Sequence, residues 1–269
     1  MKIIGDYHVH TPFCPHGTND DWEDYIVNAI ELGLKEISFT EHAPLPASFT
    51  DPVPEQDSSM DWNDLELYFK QGEQLKAKYQ NQIKVNIGFE VDYIEGYEHE
   101  TKQFLDQYGD RIDDAILSVH MLKLANGEYV CLDYSDQEFG NIIEKSGSVE
   151  SVYELYYRTV KLAIEADLGI YKPTRVGHLS LVEKFQIKYP SGYDNLAMIE
   201  DILQSIKVKS YSLDLNTAGL YKPLCQSIYP NHQIINRARA LNIPLLPGSD
   251  SHQATTIARG FNKTEKYLL

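Results

Sequence analysis

Short apolar, β-branched runs alternate along this chain with longer segments of helical periodicity. Seven runs read as strands, at 2–8, 36–40, 83–89, 114–119, 174–178, 211–215 and 243–246. The clearest helix begins after Thr18-Asn19, with Asp20 and Asp21 expected in its first turn and Gly33 as its stop. Its apolar positions Trp22, Tyr25, Ile26, Ala29 and Ile30 follow the spacing of one helical face. A second helix is expected at about 148–167, turning Val152, Tyr153, Tyr156, Val160 and Ile164 inward. Strand–helix alternation repeated this often predicts a parallel α/β architecture. Seven units suggest a distorted, TIM-like (β/α)7 barrel one unit short of eight, although an open doubly wound sheet carries the same local signature. No internal repeat, low-complexity stretch or linker interrupts the pattern, so residues 1–269 are expected to form a single domain.

The same pattern places the chemistry. The first expected strand runs into Asp6-Tyr7-His8-Val9-His10, the second into Thr40-Glu41-His42 and the third into Glu90-Val91-Asp92. The fourth closes on Ser118-Val119-His120 and the fifth on Gly177-His178. The sixth ends Asn216-Thr217 and the last Ser249-Asp250-Ser251-His252. Every strand thus closes on a ligand-type or hydrogen-bonding residue at its C-terminal end, where α/β barrels build their active sites. His8 and His10 are two apart, so strand alternation puts both imidazoles on one face. His16, in the loop after the first strand, can turn back over the mouth. Imidazoles with carboxylates suit Zn²⁺, Mn²⁺ or Fe²⁺, and ligand identity does not choose among them. His8, His10, His16, His42, Glu90, His120, His178, Asp250 and His252 are too many ligands for one ion, and suit three ions with one bridging carboxylate. His99 and His232 lie in solvent-facing helical segments and read as surface residues. Cys14 reads as a small buried thiol beside Pro15 rather than a soft ligand.

Charge narrows the partners. Forty acids against 24 bases give a net charge of −16 with no basic cluster, which argues against a long nucleic acid as partner. A small anion would need its positive charge supplied locally, by metal ions. Three widely spaced cysteines fit free thiols in a reducing, cytoplasmic setting. The N-terminus meets Asp6 before any apolar stretch, so a secretory signal is not expected, and no run is long enough for a membrane span. The sequence does not indicate an oligomeric state.

At these residues the chain resembles a known family. Asp6-Tyr7-His8-Val9-His10-Thr11-Pro12-Phe13-Cys14-Pro15-His16-Gly17 is similar to the opening motif of the polymerase-and-histidinol-phosphatase (PHP) family. Thr40-Glu41-His42, Gly88-Phe89-Glu90, Ser118-Val119-His120, Gly177-His178 and Ser249-Asp250-Ser251-His252 follow in the expected order. The stretches 40–46 and 117–120 resemble the stand-alone histidinol-phosphatase branch in particular. Members often carry Asp where Glu41 stands, which leaves the ligand set untouched.

The resemblance implies a distorted seven-stranded barrel with three metals at its C-terminal rim. It also implies hydrolysis of a small phosphate monoester, L-histidinol phosphate, in histidine biosynthesis. Carried over by position, one metal would take His8, His10, Glu90 and Asp250. A second would share Glu90 and take His120 and His178, and the third would take His16, His42 and His252. Three divalent ions against Glu90, Asp250 and one bridging hydroxide leave about +3 for the incoming phosphate dianion. The hydroxide would be the nucleophile; Asp250, His252 or a bound water are candidates for the proton donor to the leaving group. Arg158, on the second helix, is expected to clamp the phosphate. The segment 44–62, with Asp51, Glu55, Asp57 and Asp61, is expected to fold over the rim as an acidic lid suited to the cationic groups of histidinol.

Three alternatives stand beside this reading. A phosphatase or phosphodiesterase of the same architecture could act on another ester. A non-catalytic domain could use the rim for binding, against which the filled ligand positions argue. An amidohydrolase barrel would need a metal-bridging lysine at a strand end, and none of these strands ends in Lys.

Overall fold

The structure, a computed structural model, describes residues 3–192 and 195–268. Lys2, at the expected start of the first strand, lies outside the described residues. Strands β1 (Gly5–Val9), β2 (Glu36–His42), β3 (Lys84–Asp92) and β4 (Asp114–Ser118) are followed by a hairpin of β5 (Met121–Lys123) and β6 (Tyr129–Cys131). Then come β7 (Arg175–Val176), β8 (Ser212–Asn216) and β9 (Leu245–Gly248). Seven of these form one sheet in the order β1-β2-β3-β4-β7-β8-β9, with all neighbours parallel. The chain closes the sheet upon itself just past β9. Asp250 N–H donates to the His8 carbonyl at 2.8 Å and His10 N–H to the Ser251 carbonyl at 2.9 Å. The Asp6 carboxylate adds a clasp, accepting from Ser249 N (2.9 Å), Ser249 Oγ (2.5 Å) and Ala258 N (2.8 Å). The architecture is therefore the distorted seven-stranded barrel, and the open-sheet alternative is excluded.

All seven expected strands are present, with ends that move by a few residues. The weakest is β7, which pairs with β4 through only Ile116↔Arg175 and Leu117↔Val176. The hairpin β5–β6 escaped sequence reading because each arm is three residues long, too short to show a period. Along the central strands, Ile37, Phe39, Ile87 and Phe89 join the main apolar core. Ser38, Thr40, Asn86 and Glu90 alternate with them and are buried polar groups.

Helices α1 (Trp22–Glu31), α2 (Leu65–Tyr79), α3 (Glu98–Tyr108), α4 (Asp136–Ser146), α5 (Val149–Glu165), α6 (Leu196–Val208) and α7 (His232–Ala240) surround the sheet. In α1, Trp22, Tyr25, Ile26 and Ala29 are buried, as their spacing predicts. Its start differs from expectation: Asp20 and Asp21 precede the helix, and the first-turn acids are Glu23 and Asp24. Asp20 instead accepts from Ala254 N–H at 2.8 Å, a tertiary bond that takes it out of the helix. Helix α5 starts at its Ser148 cap, whose side chain accepts from Ser151 N–H, and buries Val152, Tyr153, Tyr156, Val160 and Ile164. No helix among the described residues is long and apolar enough to cross a membrane.

Candidate metal centre

The C-terminal ends of the strands bring the nine expected ligand residues to one rim. Glu90, 2% exposed on β3, sits at the centre. Its Oε1 lies 2.8 Å from His178 Nε2 and 3.8 Å from His120 Nε2. Its Oε2 lies 3.3 Å from His8 Nε2, 3.3 Å from His42 Nδ1 and 3.6 Å from His10 Nε2. Ser118 Oγ donates to Glu90 Oε1 at 2.5 Å. That hydroxyl fits because residue 177 is glycine: a Cβ there would stand 2.1 Å from Ser118 Oγ. Asp250 faces the same space, with Oδ1 3.2 Å from His10 Nε2 and 3.8 Å from His8 Nε2. It adopts φ +54, a left-handed conformation that Asp tolerates better than most residues.

Three groups have ligand atoms mutually within 4.8 Å: His8, His10 and Glu90; Glu90, His120 and His178; and His10, Cys14, His42 and His252. The first two coincide with the sets implied by resemblance, with Asp250 beside the first. The third departs from it. Cys14 stands with His42 and His252, whereas His16 packs its ring 5.2 Å from His42 and 5.1 Å from His252. The His16 Nδ1 lies 2.9 Å from the Asp57 carbonyl. Burial pushes the Cys14 thiol well up. His99 and His232 are exposed on α3 and at the start of α7.

The imidazoles are oriented from behind by carboxylates. Asp214 Oδ2 meets His8 Nδ1 at 2.8 Å, Asp92 Oδ1 meets His120 Nδ1 at 2.7 Å, and Glu41 Oε1 meets His10 Nδ1 at 3.3 Å. A carboxylate on one ring nitrogen fixes the tautomer and turns the other nitrogen's lone pair outward. Gly248 lets His8 and Asp214 meet, since a Cβ there would lie 2.5 Å from both Asp214 Oδ1 and His8 Cβ. The fit to a metal is visible in what remains unpaired. His8 Nε2, His10 Nε2, His42 Nδ1 and His252 Nε2 are buried without a hydrogen-bond partner, and buried polar atoms are otherwise almost always satisfied.

Without an ion, the charges are set against one another. Burial lowers the affinity of His8 for a proton, but Glu90, Asp214 and Asp250 reverse this and hold it well above its usual value. His10 is likewise lifted to about 9 despite burial, by Asp250 and Glu41, and His120 to about 10 by Asp92 and Glu90. Burial raises the Glu90 carboxyl, yet the surrounding His8, His120 and His178 bring it well below the carboxylate range.

The centre opens into a cavity of about 510 Å³. Lys184, Lys222 and Arg259 line it together with Asp57, Asp133 and Tyr134. Lys184 is committed, donating to Asp133 O at 2.6 Å and Oδ2 at 2.8 Å. Burial together with the neighbouring Lys184 lowers the pKa of Lys222. Arg259 stacks 4.3 Å from the Tyr221 ring, and its Nε is buried without a partner. Arg158 is not brought here. It lies on the exposed face of α5, because the inward positions of that helix are taken by Val152, Tyr156, Tyr157 and Val160. The rim cations come from irregular segments after β7, β8 and β9. The sequence signal for Lys222 was its place just after the Asn216 strand end.

The lid segment is also more specific than its charge suggested. Asp51 accepts from Val53 N–H and Ser58 N–H, Asp61 caps the turn at 62–64, and Glu55 accepts from the Tyr134 hydroxyl at 2.9 Å. Of the four acids, Asp57 alone lines the cavity.

Comparison with known proteins agrees with this arrangement. Residues 6–218 match the family described as PHP domain. A histidinol-phosphatase of Bacillus subtilis is 45% identical over 258 residues, covering 95% of this chain and 96% of that protein. The crystal structure of a candidate histidinol phosphatase from Listeria monocytogenes superposes with a TM-score of 0.92 at 42% identity, covering 96% of this chain and 99% of that one. A histidinol phosphate phosphatase from Lactococcus lactis, solved with zinc, L-histidinol and phosphate, shares the fold at a TM-score of 0.72 and 22% identity, covering 98% and 92%. By motif, barrel and relatives alike, the chain belongs to the PHP-domain family.

Proposed function

We propose that this protein is a metal-dependent phosphoric monoester hydrolase, a histidinol-phosphatase that converts L-histidinol phosphate to L-histidinol and phosphate. One observation carries the reading: unpaired imidazole nitrogens converge on Glu90 in a cavity that Lys222 and Arg259 also line. The 45% identity to the Bacillus subtilis histidinol-phosphatase across nearly all of both chains supports the substrate.

His8, His10, Glu90 and Asp250 would hold one divalent ion, and Glu90, His120 and His178 a second. His42 and His252, with His16 beside them, would hold a third. Zinc, manganese and iron all suit these donors. Bound ions supply an acidified water and neutralise charge on phosphorus oxygens. Lys222 and Arg259, which line the same cavity, would orient the phosphate, a task first expected of Arg158. Arg259 Nε is buried there without a hydrogen-bond partner, which suits an incoming anion. As a ligand of the first ion the Asp250 carboxylate would stay ionised, an acceptor rather than the proton donor; without the ion it is held well below its usual range, burial being outweighed by His8 and His10. Asp57, from the lid segment, and Tyr134, from the stretch after β6, line the cavity, and Asp57 offers a carboxylate to a cationic leaving group.

The test is phosphate release by zinc- or manganese-loaded protein across a panel of monoesters and one diester. A kcat/KM for L-histidinol phosphate about a hundredfold above the rest, roughly 2.7 kcal/mol, is expected. A flat or absent monoesterase profile would move the assignment to another ester of the same fold or to a binding role.

A further inference from the structure

Asn216 ends β8 with its side chain fully buried and flanked by two carboxylates. Its Nδ2 lies 3.1 Å from Asp214 Oδ2 and 3.1 Å from Asp250 Oδ2. The amide cannot be turned over without loss, because Oδ1 accepts from Ala218 N–H at 2.9 Å. The backbone is fixed as well: Asn216 N–H donates to Tyr229 O at 2.7 Å, and Tyr229 N–H returns the bond at 2.9 Å. The two amide hydrogens are therefore presented to the two acids by a residue that has no freedom to do otherwise.

We infer that Asn216 is a positioning residue for the metal centre, one neutral donor that sets Asp250 and, through Asp214, His8. Its bond to Asp250 Oδ2 leaves Oδ1 as the oxygen directed at His10 and His8. Its bond to Asp214 Oδ2 shares the oxygen that fixes His8 Nδ1, so the lone pair of His8 Nε2 is held toward the cavity. Two carboxylates this close repel each other, and a neutral double donor between them offsets that without adding a charge. The amide faces these two carboxylates and, at 3.4 Å, His8 Nδ1, so it meets the ligands themselves rather than serving as one. It acts through its neighbours, and its assignment rests on the proposed metal sites.

Two substitutions separate this role from a structural one. Asn216→Asp keeps an acceptor for Ala218 N–H at the same volume and replaces the two amide hydrogens by at most one carboxyl proton, so the two acids can no longer both be served. Asn216→Ala removes acceptor and donors alike. If Asn216 positions the ligands, both variants lose about 10- to 100-fold in affinity for one bound zinc, read by chelator competition and metal analysis. In both, kcat for L-histidinol phosphate falls at least tenfold while KM stays within about threefold. The loss of zinc affinity from Asn216→Ala also shrinks in an Asp250→Asn background, because the two residues act together. Wild-type zinc affinity in Asn216→Asp, or additive losses in the double variant, would overturn the inference. So would the unfolding of both variants, which would make the role structural. The zinc readout is independent of the substrate, so absent phosphatase activity in the wild type would undo the proposed function without touching this result.

Discussion

Replacing Glu41 with Gln tests the claim that the metal centre is built from behind. The Glu41 carboxylate is completely buried and accepts four contacts. Oε2 takes Thr11 N–H at 2.7 Å and Thr11 Oγ1–H at 2.5 Å, while Oε1 takes His42 N–H at 2.9 Å and faces His10 Nδ1 at 3.3 Å. A glutamine amide has one oxygen and one NH2, so one side of this arrangement must meet donor with donor. If the NH2 faces Thr11, the hydroxyl can rotate to accept, but the Thr11 N–H stays buried and unpaired, at about 1–3 kcal/mol. If it faces the other way, the His42 N–H is stranded and His10 Nδ1 must become an acceptor, which turns the proton onto Nε2. Either way, His10 loses the anion that orients it, a loss typically worth about 10- to 100-fold in metal affinity. We expect Glu41→Gln to fold, to melt lower in the metal-free state by an amount matching about 1–3 kcal/mol, and to bind zinc at least tenfold more weakly. Chelator competition and thermal melts of metal-free protein measure the two effects separately. Unchanged zinc affinity with an unchanged melt would refute the reasoning.

Other expectations follow from the same geometry. Metal loading must displace protons from His8, His10 and His120, whose carboxylate partners raise them, His10 to about 9 and His120 to about 10. Apparent zinc affinity should therefore climb with pH and level off only near about pH 10, with proton release on binding below that; calorimetry in buffers of different ionisation heat would show none if the imidazoles start neutral. Glu183, whose burial lifts its carboxyl from 4.5 to about 7, prefers to be neutral in the fold. It costs stability progressively as pH rises from 4.5 through about 7, so Glu183→Gln, which can still accept from Asn231 Nδ2, should stabilise at pH 8 by up to about 3 kcal/mol. The gain should vanish near pH 5, and a pH-independent effect would rule this account out. Lys222→Ala should raise KM for L-histidinol phosphate at least tenfold with zinc content intact, whereas Arg158→Ala should leave both constants near wild type. The reverse result would return the phosphate clamp to α5.

The sequence by itself determined much of this protein. Period-two and helical spacing located all seven barrel strands and both helices assigned from spacing. Ligand-type residues at the ends of those strands foretold a single rim, because a parallel barrel gathers all its strand ends on one face. Local pattern could not separate a closed barrel from an open sheet. That was decided by bonds between residues far apart in sequence, Asp250 to His8 and Asp6 to Ser249 and Ala258. The same limit hid the partners behind the ligands: Asp214 was an ordinary strand residue, and Asp92 and Glu41 were strand-end acids without an evident partner, until the fold put them against His8, His120 and His10. Arg158 failed as a clamp because a helix's inward face is set by its apolar residues, which left this cation outside. Lys222 and Arg259 reach the mouth from segments without regular structure, where no periodicity states a direction. A sequence records which chemistry lies at a strand end; only tertiary packing decides which side chains across the barrel it will face.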